Sequence, residues 1–198
     1  EAYKSGTVPI GAVITNSEGY IISTGRNRRF DIEGSSPLAG TNMAHAEMDA
    51  LLGLNEKEHP DIRKYILYTT MEPCPMCFGT AVMMNIRNIY FAARDGFAGA
   101  TALNDKLEYI KNKNITIKQG SQEMEAFQLI LQSAYEYERK HPRVEELMKK
   151  WRKINEKSIE YGKELHKNKY FRISVSDNKS INQVYDEVME GYIKGYIT

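Results

Sequence analysis

The chain has 198 residues, 41% hydrophobic and 27% charged, with a formal net charge of +1. That suits one large domain or a catalytic domain with an appendage, and it argues against disorder and against a globally basic nucleic-acid binder. The two cysteines are too few for a disulfide scaffold, and no apolar run suggests a membrane span or a cleavable leader, so we expect a cytoplasmic protein.

Val8–Ile14 reads as a buried strand and Tyr20–Thr24 as a second, joined through Asn16-Ser17-Glu18-Gly19 as a hairpin. Asp31 to Asn42 reads as a loop, and Ala44 to Leu54 as a helix with Ala44, Met48, Leu51 and Leu52 on one face. Tyr65–Thr70 predicts a third strand, Cys74–Asn85 a second helix and Asn88–Ala93 a fourth strand. Thr101–Asn112 reads as a helix and Ile115–Ile117 as a fifth strand. Strands separated by helices imply crossover connections, so strands four and five should be parallel.

After Gly120 the pattern turns helical. One helix opens at Ser121-Gln122-Glu123 with Met124, Phe127, Leu131 and Ala134 as its expected apolar face, and Pro142 interrupts it. A further pattern runs through Val144, Leu147, Trp151, Ile154 and Tyr161, with Trp151 read as core. Phe171–Val175 could form one more strand, and Ile181–Tyr196 a terminal helix. Tyr135 to Arg172 holds 12 Lys/Arg against 7 Asp/Glu, whereas the first 134 residues hold 13 against 15. The basic stretch could contact RNA phosphates, although its interleaved acids also suit a solvated helix face.

Two short motifs carry the chemistry. His45-Ala46-Glu47 opens the first helix, and Pro73-Cys74-Pro75-Met76-Cys77 opens the second. A Cys-x-x-Cys at a helix start brings both sulfurs near one point, where helix-start amides favour thiolates. Two thiolates and one imidazole leave a tetrahedral zinc with an open position, the arrangement of catalytic rather than structural sites. Glu47 is placed to move a proton at that position. Two other readings stand beside this one. The cysteines could be a redox dithiol, or the zinc could be structural, with His59, His141 or His166 as a fourth ligand.

The combination H-x-E with P-C-x-x-C resembles the cytidine deaminase-like superfamily, and within it the branch of tRNA adenosine deaminases and guanine deaminases. The resemblance rests on Val8–Val13, Gly25–Arg28, Ala44–Glu47, Met71–Cys77 and Ala92–Gly96, and it covers about residues 1–134. It implies an α/β three-layer fold, with a mixed five-stranded sheet flanked by helices and a helical C-terminal extension. The parallel fifth strand suits this branch, since cytidine deaminases proper run that strand antiparallel. The implied domains are a deaminase domain over 1–141 and an extension over 142–198. His45, Cys74 and Cys77 would hold Zn2+, Glu47 would shuttle protons, and Asn27 and the Ala46 amide would bind substrate. A plain turn residue is the other reading of Asn27. Members of the branch are commonly dimers, which implies a homodimer.

The chain departs from the family in three places. The Asp31–Asn42 loop is long and borders His45. Only Glu1–Ser5 remains of the usual first helix, so we expect residues to precede Glu1. The region after about His141 has no counterpart. The substrate signals divide. Pro-Cys-Pro-Met-Cys is similar to small-molecule deaminases, and Ala-Arg-Asp-Gly to tRNA adenosine deaminases. The C-terminal length favours a small nucleobase or nucleoside, with A-to-I deamination of tRNA as the alternative. An inactive zinc-stabilised RNA-binding module is a third reading, from a different class.

Overall fold

The computed structural model describes residues 1–32, 36–55 and 57–195, in two compact units, Glu1–Gly120 and Ser121–Thr198. Of the expected elements, part of the Asp31–Asn42 loop (33–35) and Tyr196 lie outside the described residues.

The first unit is built on a five-stranded sheet. β1 (Gly11–Thr15) and β2 (Ile21–Arg26) form the expected antiparallel hairpin, with Gly11 opposite Arg26 and a register shift between Ile14 and Thr15. The strand begins at Gly11 rather than Val8. Pro9 has no N–H for a ladder, and Ile10 N–H bonds the Val8 carbonyl instead. β3 (Ile66–Met71) pairs antiparallel with β1, and β4 (Asn88–Ala93) and β5 (Thr116–Gln119) add in parallel. The strand order is β2-β1-β3-β4-β5, a mixed sheet whose parallel pairs match the crossover argument.

α1 (Ala46–Leu52) and α2 (Pro75–Met83) supply the helical side of the core. Ala46, Ala50 and Leu51 of α1 and Phe78, Ala81 and Val82 of α2 cluster with Ala12, Ile14, Leu67 and Ile89, which alternate along their strands. Fully burying such aliphatic and aromatic side chains contributes about 1.5–3 kcal/mol each before entropy is charged against it. Gly25 of β2 is where α1 comes closest: a Cβ there would lie 2.2 Å from the Ala46 carbonyl oxygen and 2.3 Å from the Ala50 nitrogen. Thr101–Asn112 is not one helix. It is a 3-10 segment at Thr101–Asp105 followed by α3 (Glu108–Lys111).

The second unit is helical throughout. α4 (Gln122–Glu138) starts at Ser121, whose hydroxyl accepts the Met124 N–H as an N-cap. Its buried apolar residues are Ala126, Leu129, Ile130, Ala134 and Tyr135, whereas Met124 in the first turn is 54% exposed. The apolar face is therefore rotated from the expected one. α5 (Val144–Lys167) buries Leu147, Met148, Trp151 and Ile159, so Trp151 is core as expected. Its run breaks at Asn155, which is extended (φ −153°, ψ 92°) and whose side chain accepts the Ser158 N–H, capping a second helical stretch. A Cβ on Gly162 would lie 1.9 Å from the Ser133 hydroxyl, so glycine lets α5 meet α4 there.

Phe171–Val175 is helical rather than extended, within α6 (Tyr170–Ser176). Phe171 and Ser174, three apart, are its buried positions, a helical spacing that packing enforces over the weak strand preference of Ile173 and Val175. α7 (Ile181–Lys194) opens with a reciprocal Ser180–Gln183 capping box. Among the described residues no helix is long and apolar enough to cross a membrane.

Candidate metal centre

Both helices of the core point their N-termini at one place. His45 is the N-cap of α1 and Cys74 the N-cap of α2, each with extended backbone (ψ 156° and 170°). Pro75 occupies the first turn of α2, where its fixed φ fits and its missing N–H costs no helix bond. Cys77 follows three residues after the cap. N-cap and N3 side chains approach each other by helix geometry, as in a capping box, and here the two sulfurs lie 3.6 Å apart.

His45 Nδ1 lies 3.5 Å from each sulfur. Bonds of about 2.3 Å to sulfur and about 2.0–2.1 Å to nitrogen at tetrahedral angles imply edges of about 3.8 Å and 3.6 Å. The observed triangle matches those edges within a few tenths of an ångström, so these three residues fit a zinc ion. Among the described residues this is the metal-capable group, and it has three members. His59 Nδ1 instead contacts the Tyr65 hydroxyl at 3.1 Å, His141 Nδ1 accepts the Arg143 N–H, and His166 stacks on Tyr137. None of the three supplies the fourth ligand that the structural-zinc reading requires.

The site holds its charge tightly. The hydrogen bond from Cys77, helped by His45, draws the Cys74 thiol down to about 4, and the same bond with burial pushes the Cys77 thiol up. The hydrogen bond to Cys74 raises His45. A cation bound there must displace the remaining protons, so loading is coupled to pH.

Glu47 is buried at 3% exposure in the first turn of α1. Thr69 of β3 donates its hydroxyl to Glu47 Oε1 at 2.8 Å. Burial raises the Glu47 carboxyl, while its own backbone N–H and Thr69 oppose that shift. Its charge acts on both His45 and Cys77. Asn27, just past β2, is buried, and its Oδ1 accepts the Thr7 hydroxyl at 2.6 Å and the Arg29 N–H at 3.0 Å. Those two donors fix the amide's orientation. Ala46 is fully buried at the start of α1.

Three supporting residues lay outside the sequence reading. Thr69 and Thr7 meet partners 22 and 20 residues away, with no local spacing to betray them. Glu72 accepts from the Asp95 and Thr101 N–H groups and the Thr101 hydroxyl, while the Ala100 N–H bonds the Pro73 carbonyl. Together these contacts clamp the 95–101 loop beside Cys74. The Glu72 position was visible only as part of the Met71–Cys77 match.

Residues 1–93 match the family model of the cytidine and deoxycytidylate deaminase zinc-binding region. The chain is similar to the tRNA-specific adenosine deaminase of Haemophilus influenzae, at 35% identity over 101 residues, covering 50% of this chain and 54% of that protein. It is also similar to the cytosine deaminase of Candida albicans, at 26% identity over 107 residues, covering 54% of this chain and 64% of that protein. A solved structure of a tRNA:A34 deaminase aligns with TM-score 0.46 and 26% identity over 60% of this chain and 88% of that one. The chain spans 16% of a Deinococcus radiodurans tRNA(Ile)-lysidine synthase, to which it is 36% identical over 104 residues, and under two thirds of the two deaminases.

Proposed function

We propose that the protein is a zinc-dependent hydrolytic deaminase that removes the exocyclic amine of a nucleobase or nucleoside as ammonia. The observation that carries this reading is the three-ligand His45, Cys74 and Cys77 triangle with the buried Glu47 beside it. When bound, zinc would activate a water as nucleophile near neutral pH. Glu47 takes one proton from the attacking water and delivers it to the ring nitrogen, then takes the second from the newly added hydroxyl and delivers it to the departing amine. The water oxygen bonds the amine-bearing ring carbon, the C–N bond breaks, and ammonia leaves. Thr69 orients the Glu47 carboxyl for this transfer. Asn27, held through its oxygen, offers its amide nitrogen to the base, and the Ala46 amide joins it.

The alternative is A-to-I deamination of tRNA, favoured by the 35% identity to the Haemophilus influenzae enzyme. We assign the deaminase domain to residues 1–141 and an extension to 142–198, a sequence division that differs from the compact units, which part after Gly120, and expect a cytoplasmic homodimer. The test is to incubate the zinc-loaded protein with guanine, adenine, cytosine, their nucleosides and a tRNA anticodon stem-loop, and to measure ammonia. Glu47→Ala should abolish release while keeping the metal. Release that survives this change defeats the mechanism.

A further inference from the structure

At the end of β2 and just past it the chain carries three arginines, and the structure uses them differently. Arg26 makes a two-pronged contact with Asp31, at 3.0 and 2.7 Å. Arg28 bonds Asp49 at 2.8 Å and reaches Asp31 at 3.5 Å. Those two anchor the segment on one side. Asn27 lies between them, and its Oδ1 accepts the Arg29 N–H. Arg29 makes no ion pair among the described residues. Its guanidinium lies 5.5 Å from the centre of the Phe30 ring, and Phe30 is 42% exposed.

The same segment runs beside the metal helix. Arg28 N–H bonds the Ala44 carbonyl at 2.9 Å, so Arg29 follows the residue tied next to His45. Arg29 is therefore a half-buried cation, stacked on an aromatic ring, one residue past the backbone bond that ties the segment to the neighbour of His45. Burying a cation without an anion is costly, and a guanidinium fork matches a phosphate.

We propose that Arg29, braced by Phe30 at the edge of the metal centre, recognises a phosphate of the substrate, so that the base is taken as a nucleotide unit in preference to the free base. The proposal deepens the deaminase reading and rests on it for its catalytic consequence. The phosphate could come from a mononucleotide or from an RNA strand, and the two sources are separate arms of the test.

The experiment compares wild type, Arg29→Gln and Arg29→Lys as full zinc-loaded chains. Ammonia release is measured for each base as free base, nucleoside, 5′-monophosphate and within a single-stranded RNA loop. Wild type should prefer a phosphate-bearing form over the nucleoside by about 10-fold or more in kcat/KM, the scale of one charge-assisted hydrogen bond. Arg29→Gln should collapse that ratio toward one, and Arg29→Lys should keep part of it. Preference for the monophosphate identifies a mononucleotide, and preference for the loop alone identifies RNA. A ratio unchanged in Arg29→Gln overturns the proposal, as does an equal loss on every form, which a merely structural residue would give. Should no form release ammonia, the deaminase reading fails. Equilibrium dialysis of each 5′-monophosphate against its nucleoside then still decides the phosphate site, since tighter monophosphate binding lost in Arg29→Gln supports it and equal binding overturns it.

Discussion

Replacing Gly25 with alanine should loosen the metal centre without touching a ligand. The added Cβ would sit 2.2 Å from the Ala46 carbonyl oxygen and 2.3 Å from the Ala50 nitrogen, where ordinary contact begins at 3.4 Å. Both neighbours are backbone of α1, so no side chain can swing away. The helix must retreat by about 1.2 Å, the gap between 2.2 and 3.4 Å. His45 is the N-cap of that helix and moves with it, whereas metal–ligand distances tolerate only about 0.2 Å. We expect a stability loss of about 3 kcal/mol, the upper end for overpacking, and zinc affinity weaker by about 10- to 100-fold, as for disturbed ligand support. Competition with a chromogenic chelator measures the affinity, and thermal unfolding measures the stability. Gly11→Ala is the control, because the nearest atom to its new Cβ is 3.9 Å away. If Gly25→Ala binds zinc as tightly as Gly11→Ala, the coupling between β2, α1 and the triad is wrong.

Glu47→Gln should cut ammonia release by about 10²- to 10⁴-fold, the range for general acid–base catalysis, with zinc content unchanged by metal analysis. Stripping the metal should lower the melting temperature, and zinc at 100 times its Kd should restore about 2.7 kcal/mol. The hydrogen bond from Arg26 holds the Asp31 carboxyl below its ordinary 3.8, so its contribution is present above that pH and is lost as pH falls through the lower folded value. The stability gap between wild type and Asp31→Asn should therefore hold steady from pH 7 to about 5 and close on further acidification, read by denaturant titration. Trp151→Ala should cost about 3–5 kcal/mol by the same assay, since Trp151 is 4% exposed.

The first unit was legible because its strands are short apolar runs bounded by turn residues, and β4 lies where Asn88–Ala93 was read. The triad was legible because cysteines three apart at a helix start leave little conformational choice. What escaped depended on contacts distant in sequence. The rotated face of α4 follows from packing of Leu129 and Ile130, apolar positions that the three-and-four spacing from Met124 skipped. Asn155 sits inside an unbroken apolar period, and only its side chain's bond to Ser158 marks the stop. Phe171–Val175 has strand-like composition over five residues, too few for periodicity to decide. Thr7 and Thr69 have ordinary strand and loop surroundings, and only the fold turns them toward Asn27 and Glu47.

Two helix N-caps that converge on one triangle also set a chain constraint. His45 and Cys74 are 29 residues apart, with β3 and its approach between them. A metal held there ties that span into a closed loop and restricts the unfolded chain as a staple does. By loop-closure entropy a link across such a span is worth about 3–4 kcal/mol. Neither helix has a side-chain cap of its own at this end, because the cap positions are spent on ligands. Metal supply would thus govern how much of the first unit is folded as well as whether it is active, and low zinc would expose the β3 span to proteases before any other part of the sheet.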